Sequence, residues 1–330
     1  LRTLDFYARG IRVALRIRPD LIQCNDYNTM WVGAVARLVS PRTALVYDSH
    51  EIWAARNLRP EPRWWLLGWE FMFVRIAHAV VMTSPAHADV LCHRYRIAPP
   101  TVVRNIPARS ESSASRGNGE HARRRGDVPV AAAVQPVRGA APADGRVAVY
   151  VGVLLRHRGL EQSIRAIARL ETVTLRLLGP VADDYRGELE GLARSVGVAD
   201  RVEFAPPVPP TEVVDNLARA DVGLALFQPT CLSHRLVLPN KLFEYVHAGL
   251  PIVGSDLPMI RRFIDEHGVG TVVDAEDPEA VARGLEEVLS PERHERLREA
   301  ARGAGGELDW ERESEVLAGV YRRALARAQA

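Results

Sequence analysis

Short runs rich in β-branched residues alternate with longer helical patterns along almost the whole sequence, which confines it to βα units built around parallel sheets. In the first third, strands are expected at Leu21–Cys24, Ala44–Tyr47, Ala79–Met82 and Thr101–Val103. A second, more regular series places strands at Val147–Val151, Val173–Leu178, Val202–Phe204, Val222–Phe227, Ile252–Ser255 and Gly270–Val273. Helices are expected from Gly159, near Arg186–Ser195, from Thr211, over Pro239–Ala248 and in the closing stretch. Between the two series, SESSASRGNGEHARRRGD and the Pro-, Ala- and Gly-rich sequence after it carry no sustained period. They read as a flexible linker or insertion over 108–145, with Arg123–Arg125 solvated. The expected fold is therefore α/β, with two Rossmann-like doubly wound domains over 1–107 and 146–305. A last helix in 306–330 is expected to pack back toward the first domain. Ligands of such folds lie outside the carboxyl ends of the strands.

Composition narrows the partners. With 47% hydrophobic and 25% charged residues the chain is globular, and 43 basic against 41 acidic residues leave +2, too little for a surface that coats nucleic acid. No nucleic-acid partner is expected. The three cysteines, Cys24, Cys92 and Cys231, form neither a disulfide framework nor a CxxC pair, and no apolar run is long enough to span a membrane. A cytoplasmic protein without a metal or cofactor is the expectation. All but one of the Lys and Arg residues are arginine; the exception is Lys241.

That lysine lies in LPNKLFEYVHAGLPIVGSDLP, Leu238 to Pro258. Pro239 suits the first position of a helix, Gly249 the left-handed residue past its end, and Pro251 blocks continuation. Lys241 and Glu244, three apart, share a helical face near the amino terminus, where an ammonium and the helix dipole favour phosphate. A carboxylate one turn deeper has two oxygens, enough for both hydroxyls of a ribose. The other reading of the pair is an ordinary surface ion pair. Arg158, at a carboxyl strand end just before Gly159, can hold phosphate as a bidentate fork, and Gly152 would let the backbone approach a ligand.

PNKLFEYVHAGLPIVGSD resembles the donor-binding helix of family 4 type retaining glycosyltransferases of the GT-B fold, the group 1 glycosyl transferases. RPDLIQCND, ALVYDSHE, AHAVVMTSPAHADVL, VVRNIP, YVGVLLRHRGLEQSIRAI and ARADVGLALFQP follow in that family's order. The resemblance implies a nucleotide-diphosphate sugar as donor, Glu244 on its ribose, and Lys241 and Arg158 facing the diphosphate. Gly152, His234, Pro239, Asn240 and Leu242 complete the donor side. The family's fuller signature has two glutamates separated by seven residues; counting back from Glu244, the earlier position is Leu236 in this chain, and His234 or backbone amides of CLSHRLVLPN are the substitutes. Val153 stands where many relatives have arginine.

On the first domain the resemblance implies that His50 lines the cleft between domains, and Asn25, Asp26 and Asp48 join it on the acceptor side. A histidine at a strand end can donate to a hydroxyl or relay a proton; the alternative is a histidine satisfied by its own loop. His50, Arg158 and Lys241 are the candidate catalytic residues. Ser84, before Pro85, reads as a helix N-cap. In RWWLLGWEFMFVRIAHAV the aromatic residues read mainly as a core face, with an interfacial helix on anionic lipid as the alternative. Relatives begin with a strand and a glycine-rich loop that nothing before RPD matches, so the first domain is expected to be incomplete. The expected activity is transfer of a sugar to a glycan, lipid-linked or small-molecule acceptor, as in cell-envelope polysaccharide synthesis, with peripheral contact at the inner face of a membrane left open. The alternatives are a non-catalytic nucleotide-sugar-binding module and a nucleotide-sugar epimerase of related fold.

Overall fold

The computed structural model describes residues 2–55, 61–108 and 145–329. The linker reading, including Arg123–Arg125, falls largely on 109–144, outside the described residues. The first part of the chain runs α1 (Arg2–Ile17), β1 (Leu21–Asn25), α2 (Asp26–Val39), β2 (Ala44–Ser49), α3 (Arg63–Ile76), β3 (Ala79–Met82), α4 (Pro85–Tyr95) and β4 (Thr101–Val102). The second runs β5 (Arg146–Val151), α5 (Leu160–Ile167), β6 (Val173–Leu178), α6 (Asp183–Ser195), β7 (Val202–Ala205), α7 (Val213–Leu217), β8 (Val222–Ala225), α8 (Leu232–Arg235), α9 (Lys241–His247), β9 (Ile252–Ser255), α10 (Pro258–His267), β10 (Gly270–Val273), α11 (Pro278–Leu289), α12 (Pro291–Glu307) and α13 (Trp310–Gln329).

All strand pairs are parallel. The first sheet has the order β1-β2-β3-β4, always stepping the same way. Right-handed crossovers then place α2, α3 and α4 on one face and leave the other bare. The last helix covers that second face: Val320 and Ala324 of α13 pack on Ala44, Val46, Val81 and Val103. The neighbours Leu45 and Tyr47 point the opposite way, into the core beneath α2 and α3, as the two-residue period of a strand requires. A buried carboxylate, Glu313, locks the start of α13 to the end of the first domain by accepting from the Arg104 backbone at 2.7 Å and from its guanidinium at 2.9 and 2.6 Å.

The second sheet has the order β10-β9-β8-β5-β6-β7. The chain leaves β5 in one direction and later returns through β8 in the other, so β5 and β8 flank the switch point where such sheets bind ligands. These strands pair through Ala148 with Val222 and Val149 with Gly223, then part. The Tyr245 hydroxyl fills the gap: it accepts from Val151 N–H at 3.3 Å and lies 2.9 Å from the Leu224 carbonyl, to which it donates. Gly223 is required there, since a Cβ would sit 2.5 Å from the Tyr245 ring.

Several expected boundaries are revised. The helix expected over Pro239–Ala248 is Lys241–His247, because the chain enters through a tight turn in which Leu242 N–H reaches the Pro239 carbonyl at 3.1 Å. Pro239 thus precedes the Asn240 cap instead of opening the helix. At the other end Gly249 is left-handed (φ 66°), and Leu250 N–H bonds the Tyr245 carbonyl at 2.8 Å, a Schellman closure. Strand β2 continues to Ser49, so Asp48 is a buried strand residue and not part of the following loop. Strand β8 stops at Ala225 and frees Phe227 from the sheet. The stretch from Thr211 is a tight 3-10 turn followed by α7. In α3 the buried face is Leu66, Glu70, Phe73 and Val74, so the core reading of the aromatics holds for Phe73 and for Trp69, which packs on the same core, whereas Trp64, Trp65 and Phe71 are 72%, 42% and 46% exposed. No helix among the described residues is long and apolar enough to cross a membrane.

Candidate functional site

At the switch point, β5 ends in Val151 and the backbone turns at Gly152 with φ 117°, a conformation that side chains disfavour. The loop then runs out and back to Gly159, the left-handed cap of α5 (φ 72°), which approaches so near that a Cβ would lie 2.4 Å from that of Leu226. This close approach sets Arg158 beside the segment that leaves β8, with its guanidinium carbon 4.1 Å from the centroid of the Phe227 ring. Arg156 points elsewhere, onto Glu188 at 2.5 and 2.6 Å. His157 pairs with the Gln228 side chain at 3.2 Å.

Helix α9 brings in the third group. Lys241 and Tyr245 are four residues apart and share a face, so the splint that Tyr245 forms between β5 and β8 also fixes Lys241 one turn earlier, at the end of β5. Its ammonium lies 3.3 Å from the centroid of Tyr150 and 5.4 Å from that of Phe227. The side chain is buried and Nζ has no hydrogen-bond partner among the described residues. Burial, and then the Arg158 charge, push its pKa well below the usual lysine value, while Glu244 works the other way. Gly152 leaves the space in front open: a Cβ there would meet nothing nearer than Lys241 Nζ, at 3.9 Å. Two cations thus sit on aromatic rings at the sheet switch point, and Lys241 lacks a hydrogen-bond acceptor among the described residues.

Glu244 faces a hollow of ≈ 390 Å³ whose other walls are Asn105, Ile106, Pro107, Ala108, Asn240 and Trp310. Burial raises its carboxyl pKa and Lys241 lowers it. The Leu242 side chain is fully buried and packs in the core beneath α9. Pro239 shapes the entry turn.

His234 stands on the short α8, edge-on to Phe227 with centroids 6.1 Å apart and with Nδ1 2.9 Å from the Thr230 hydroxyl. The segment CLSHRLVLPN is not an open loop. Leu232 and Leu236 pack onto the core of the first domain. Ser233 donates to the Ile52 carbonyl at 3.2 Å, and Ser84 to the Leu236 carbonyl at 3.3 Å. Ser84 occupies the N-cap position of α4, but its hydroxyl makes no cap bond; it is spent on this contact. The loop that bears His50 and the short helix that bears His234 therefore abut.

The acceptor-side residues gather at the carboxyl ends of β1 and β2. Asn25 and Asp48 are register partners. Asp26, left-handed at φ 62°, accepts the His50 backbone N–H at 3.0 Å. His50 Nε2 lies 3.7 Å from Asp48 Oδ1. Asp48 raises the His50 pKa, burial opposes, and Asp26 and Glu51 add to the rise. Tyr150, Phe227 and Tyr245 were not singled out from the sequence, although the first two sit at strand ends where the fold puts ligands. Among the described residues no group of three His, Cys, Asp or Glu is placed to hold a metal ion.

Residues 134–304, over half the chain, match the model of the family described as Glycosyl transferases group 1. The chain belongs to that family. Residues 1–106 match a second model, Glycosyltransferase Family 4. Among relatives of this group 1 chain, the D-inositol 3-phosphate glycosyltransferase of Acidothermus cellulolyticus is 28% identical over 314 residues, covering 89% of this chain. The chain spans 65% of that relative's length. Sucrose-phosphate synthase of Thermosynechococcus elongatus superposes with a TM-score of 0.77 at 18% identity, over 98% of this chain and 78% of that one. Anabaena HepE in complex with UDP gives 0.72 at 18% identity, over 96% and 81%. The group 1 chain thus has the two-domain GT-B fold.

Proposed function

We propose that this chain is a retaining glycosyltransferase that moves a sugar from a nucleotide-diphosphate donor to a hydroxyl acceptor. The observation that carries the reading is the buried ammonium of Lys241, set on Tyr150 without a hydrogen-bond partner among the described residues and next to Arg158 at the switch point. A diphosphate there would satisfy Lys241, and both cations would stabilise the negative charge that grows on the leaving group, an electrostatic form of catalysis that needs no metal. Glu244, facing its hollow, takes the ribose. Retention follows from the family, with attack on the face the leaving group vacates. Asn25, Asp26, Asp48 and His50 receive the acceptor, and His50 relays its proton. The test is a thermal-shift screen with UDP- and GDP-sugars, beginning with UDP-sugars, followed by a transfer assay. Glu244→Ala should weaken donor binding by roughly tenfold to a hundredfold, from the loss of hydrogen bonds to a charged group. Unchanged affinity removes the ribose assignment, and donor binding without transfer or hydrolysis replaces the enzyme by a nucleotide-sugar-binding module.

A specific observation supports a second element, peripheral contact of a cytoplasmic enzyme with a membrane that carries a lipid-linked acceptor. Trp64, Trp65 and Phe71 of α3 are 72%, 42% and 46% exposed, and Leu4 and Phe6 of the arginine-rich α1 are 69% and 52% exposed. Aromatic and basic side chains together suit an anionic lipid surface. Sedimentation with phosphatidylglycerol vesicles should pull down the wild type and leave Trp64→Ala/Trp65→Ala in solution; equal recovery removes this element.

A further inference from the structure

The carboxylate beside His50 is held from the opposite end of the sequence. Because β1 and β2 are parallel and in register, Gln23, Asn25 and Asp48 lie on the sheet face that α13 covers, the face of Val46 and Ala44. The Gln23 amide nitrogen donates to Asp48 Oδ2 at 2.7 Å and to Asn25 Oδ1 at 2.8 Å. Its carbonyl oxygen accepts the hydroxyl of Tyr321. That use has one polarity. Turning the amide over would set its oxygen against the Asp48 carboxylate, which can only accept, so Asp48 selects this orientation and the Tyr321 hydroxyl is left to donate to the amide oxygen. Tyr321 keeps its proton, since burial and the Asp48 charge both raise its pKa.

His50 itself is pinned through its backbone. Asp26 takes its N–H at 3.0 Å and the Thr83 hydroxyl donates to its carbonyl at 3.0 Å. The ring is left to be oriented by Asp48 Oδ1, 3.7 Å from Nε2, while the other oxygen of the same carboxylate is the one Gln23 holds. Helix α13 does not need the tyrosine bond in order to dock, since Glu313 clamps Arg104 and Val320 and Ala324 fill the sheet face. We infer that Tyr321 and Gln23 are positioning residues, which fix Asp48 so that it orients the His50 ring on the acceptor side. The inference rests on the reading of His50 as an acceptor-side group. It makes the last helix a working part of the site, joined to it across almost the full length of the chain.

Among the described residues, the charged groups that face His50 are Asp48 on β2, Asp26 at the start of α2 and Glu51 in the loop after β2. Only Asp48 is held by Gln23, so removing the support changes one of three. Tyr321→Phe keeps the ring and its packing and deletes the hydroxyl; Gln23→Leu deletes the amide. The histidine ring signals of the full chain are followed by NMR across a pH titration in wild type and both variants, with His50→Gln to assign the resonance. In both variants the His50 midpoint should fall toward the ~6.5 of a free imidazole, and the acid limb of the transfer rate should move with it, in kcat and not in the donor KM. Tyr321→Phe alone decides the matter if Gln23→Leu does not fold. A His50 titration that coincides with the wild type overturns the inference. The underlying reading fails separately: full transfer by His50→Gln would take His50 out of the reaction while leaving the relay to Asp48 intact.

Discussion

Exchanging Lys241 for methionine should move stability and ligand binding in opposite directions. The lysine is 7% exposed and its Nζ has no hydrogen-bond partner among the described residues. Besides the Glu244 carboxylate, what compensates the charge is the Tyr150 ring at 3.3 Å, with Phe227 at 5.4 Å. Such contacts contribute about 0.5–2 kcal/mol, whereas a buried, uncompensated charge costs several kcal/mol. Methionine retains an unbranched apolar stem and removes the charge. The ligand-free variant should therefore exceed the wild type in stability by about 1–2 kcal/mol at neutral pH. The pH dependence has a definite sign. The folded-state pKa of Lys241 is depressed by burial, so the unfolded chain binds more protons there, and wild-type stability rises with pH between the depressed value and the unfolded value of about 10.4. The advantage of the variant shrinks across that window. Urea unfolding at neutral pH and near pH 9.5, roughly the upper part of the window, measures it. A nucleotide-diphosphate sugar should raise the midpoint of the wild type by mass action and leave Lys241→Met unmoved. A variant less stable than the wild type at neutral pH, or one that the donor stabilises equally, refutes the assignment of Lys241 as a charge held in place for a polyanion.

Arg158→Lys keeps the charge but loses the planar fork and the stacking on Phe227, so turnover should drop about tenfold to a hundredfold, an effect of one leaving-group donor; unchanged kcat would exclude Arg158 from that role. His87 is buried, neither ring nitrogen makes a hydrogen bond among the described residues, and burial lowers its pKa to about 4 against a weaker effect of the Ser233 backbone. Its stabilising contribution is complete above the unfolded value and is lost as pH falls from ~6.5 toward the folded value, by about 3 kcal/mol in all; His87→Leu should flatten that limb of an acid-unfolding curve, and an unchanged limb would argue against it. Gly223→Ala should destabilise by about 2 kcal/mol or more, since its Cβ would meet Tyr245 at 2.5 Å, and the displaced α9 should weaken donor binding as well. A variant with normal thermal unfolding and normal affinity would mean that Tyr245 is not what holds α9 in place.

The local pattern of residues was enough for the βα alternation, the parallel sheets and the nearness of Lys241, Glu244 and Arg158 to one another. Periods of two and 3.6 and the glycines at 152, 159 and 249 are properties of neighbours in the chain, and a strand end is recognisable from them. The exposure of Trp64 and Trp65 was not legible in that way, because an aromatic-rich helix shows which faces are apolar but not which one the sheet covers. The start of α9 is not legible locally for a related reason: Pro239 suits both an opening turn and the turn before it, and the choice is made by where Tyr245 anchors the helix.

From sequence alone came the chemistry of the site: which cations and carboxylates sit at strand ends, and the absence of any charge surplus for coating a polyanion. Only the tertiary structure decided the environment that gives those groups their properties. The pKa of Lys241 is depressed because it is buried against Tyr150 of β5 and Phe227 of the segment that leaves β8. Asp48 faces His50 because Tyr321, 298 residues from Gln23, reaches across a sheet face that β1 through β4 leave bare. Burial and hydrogen bonding depend on which surfaces meet, and residues so far apart are brought together by strand order and crossover hand, not by anything written in their own neighbourhoods.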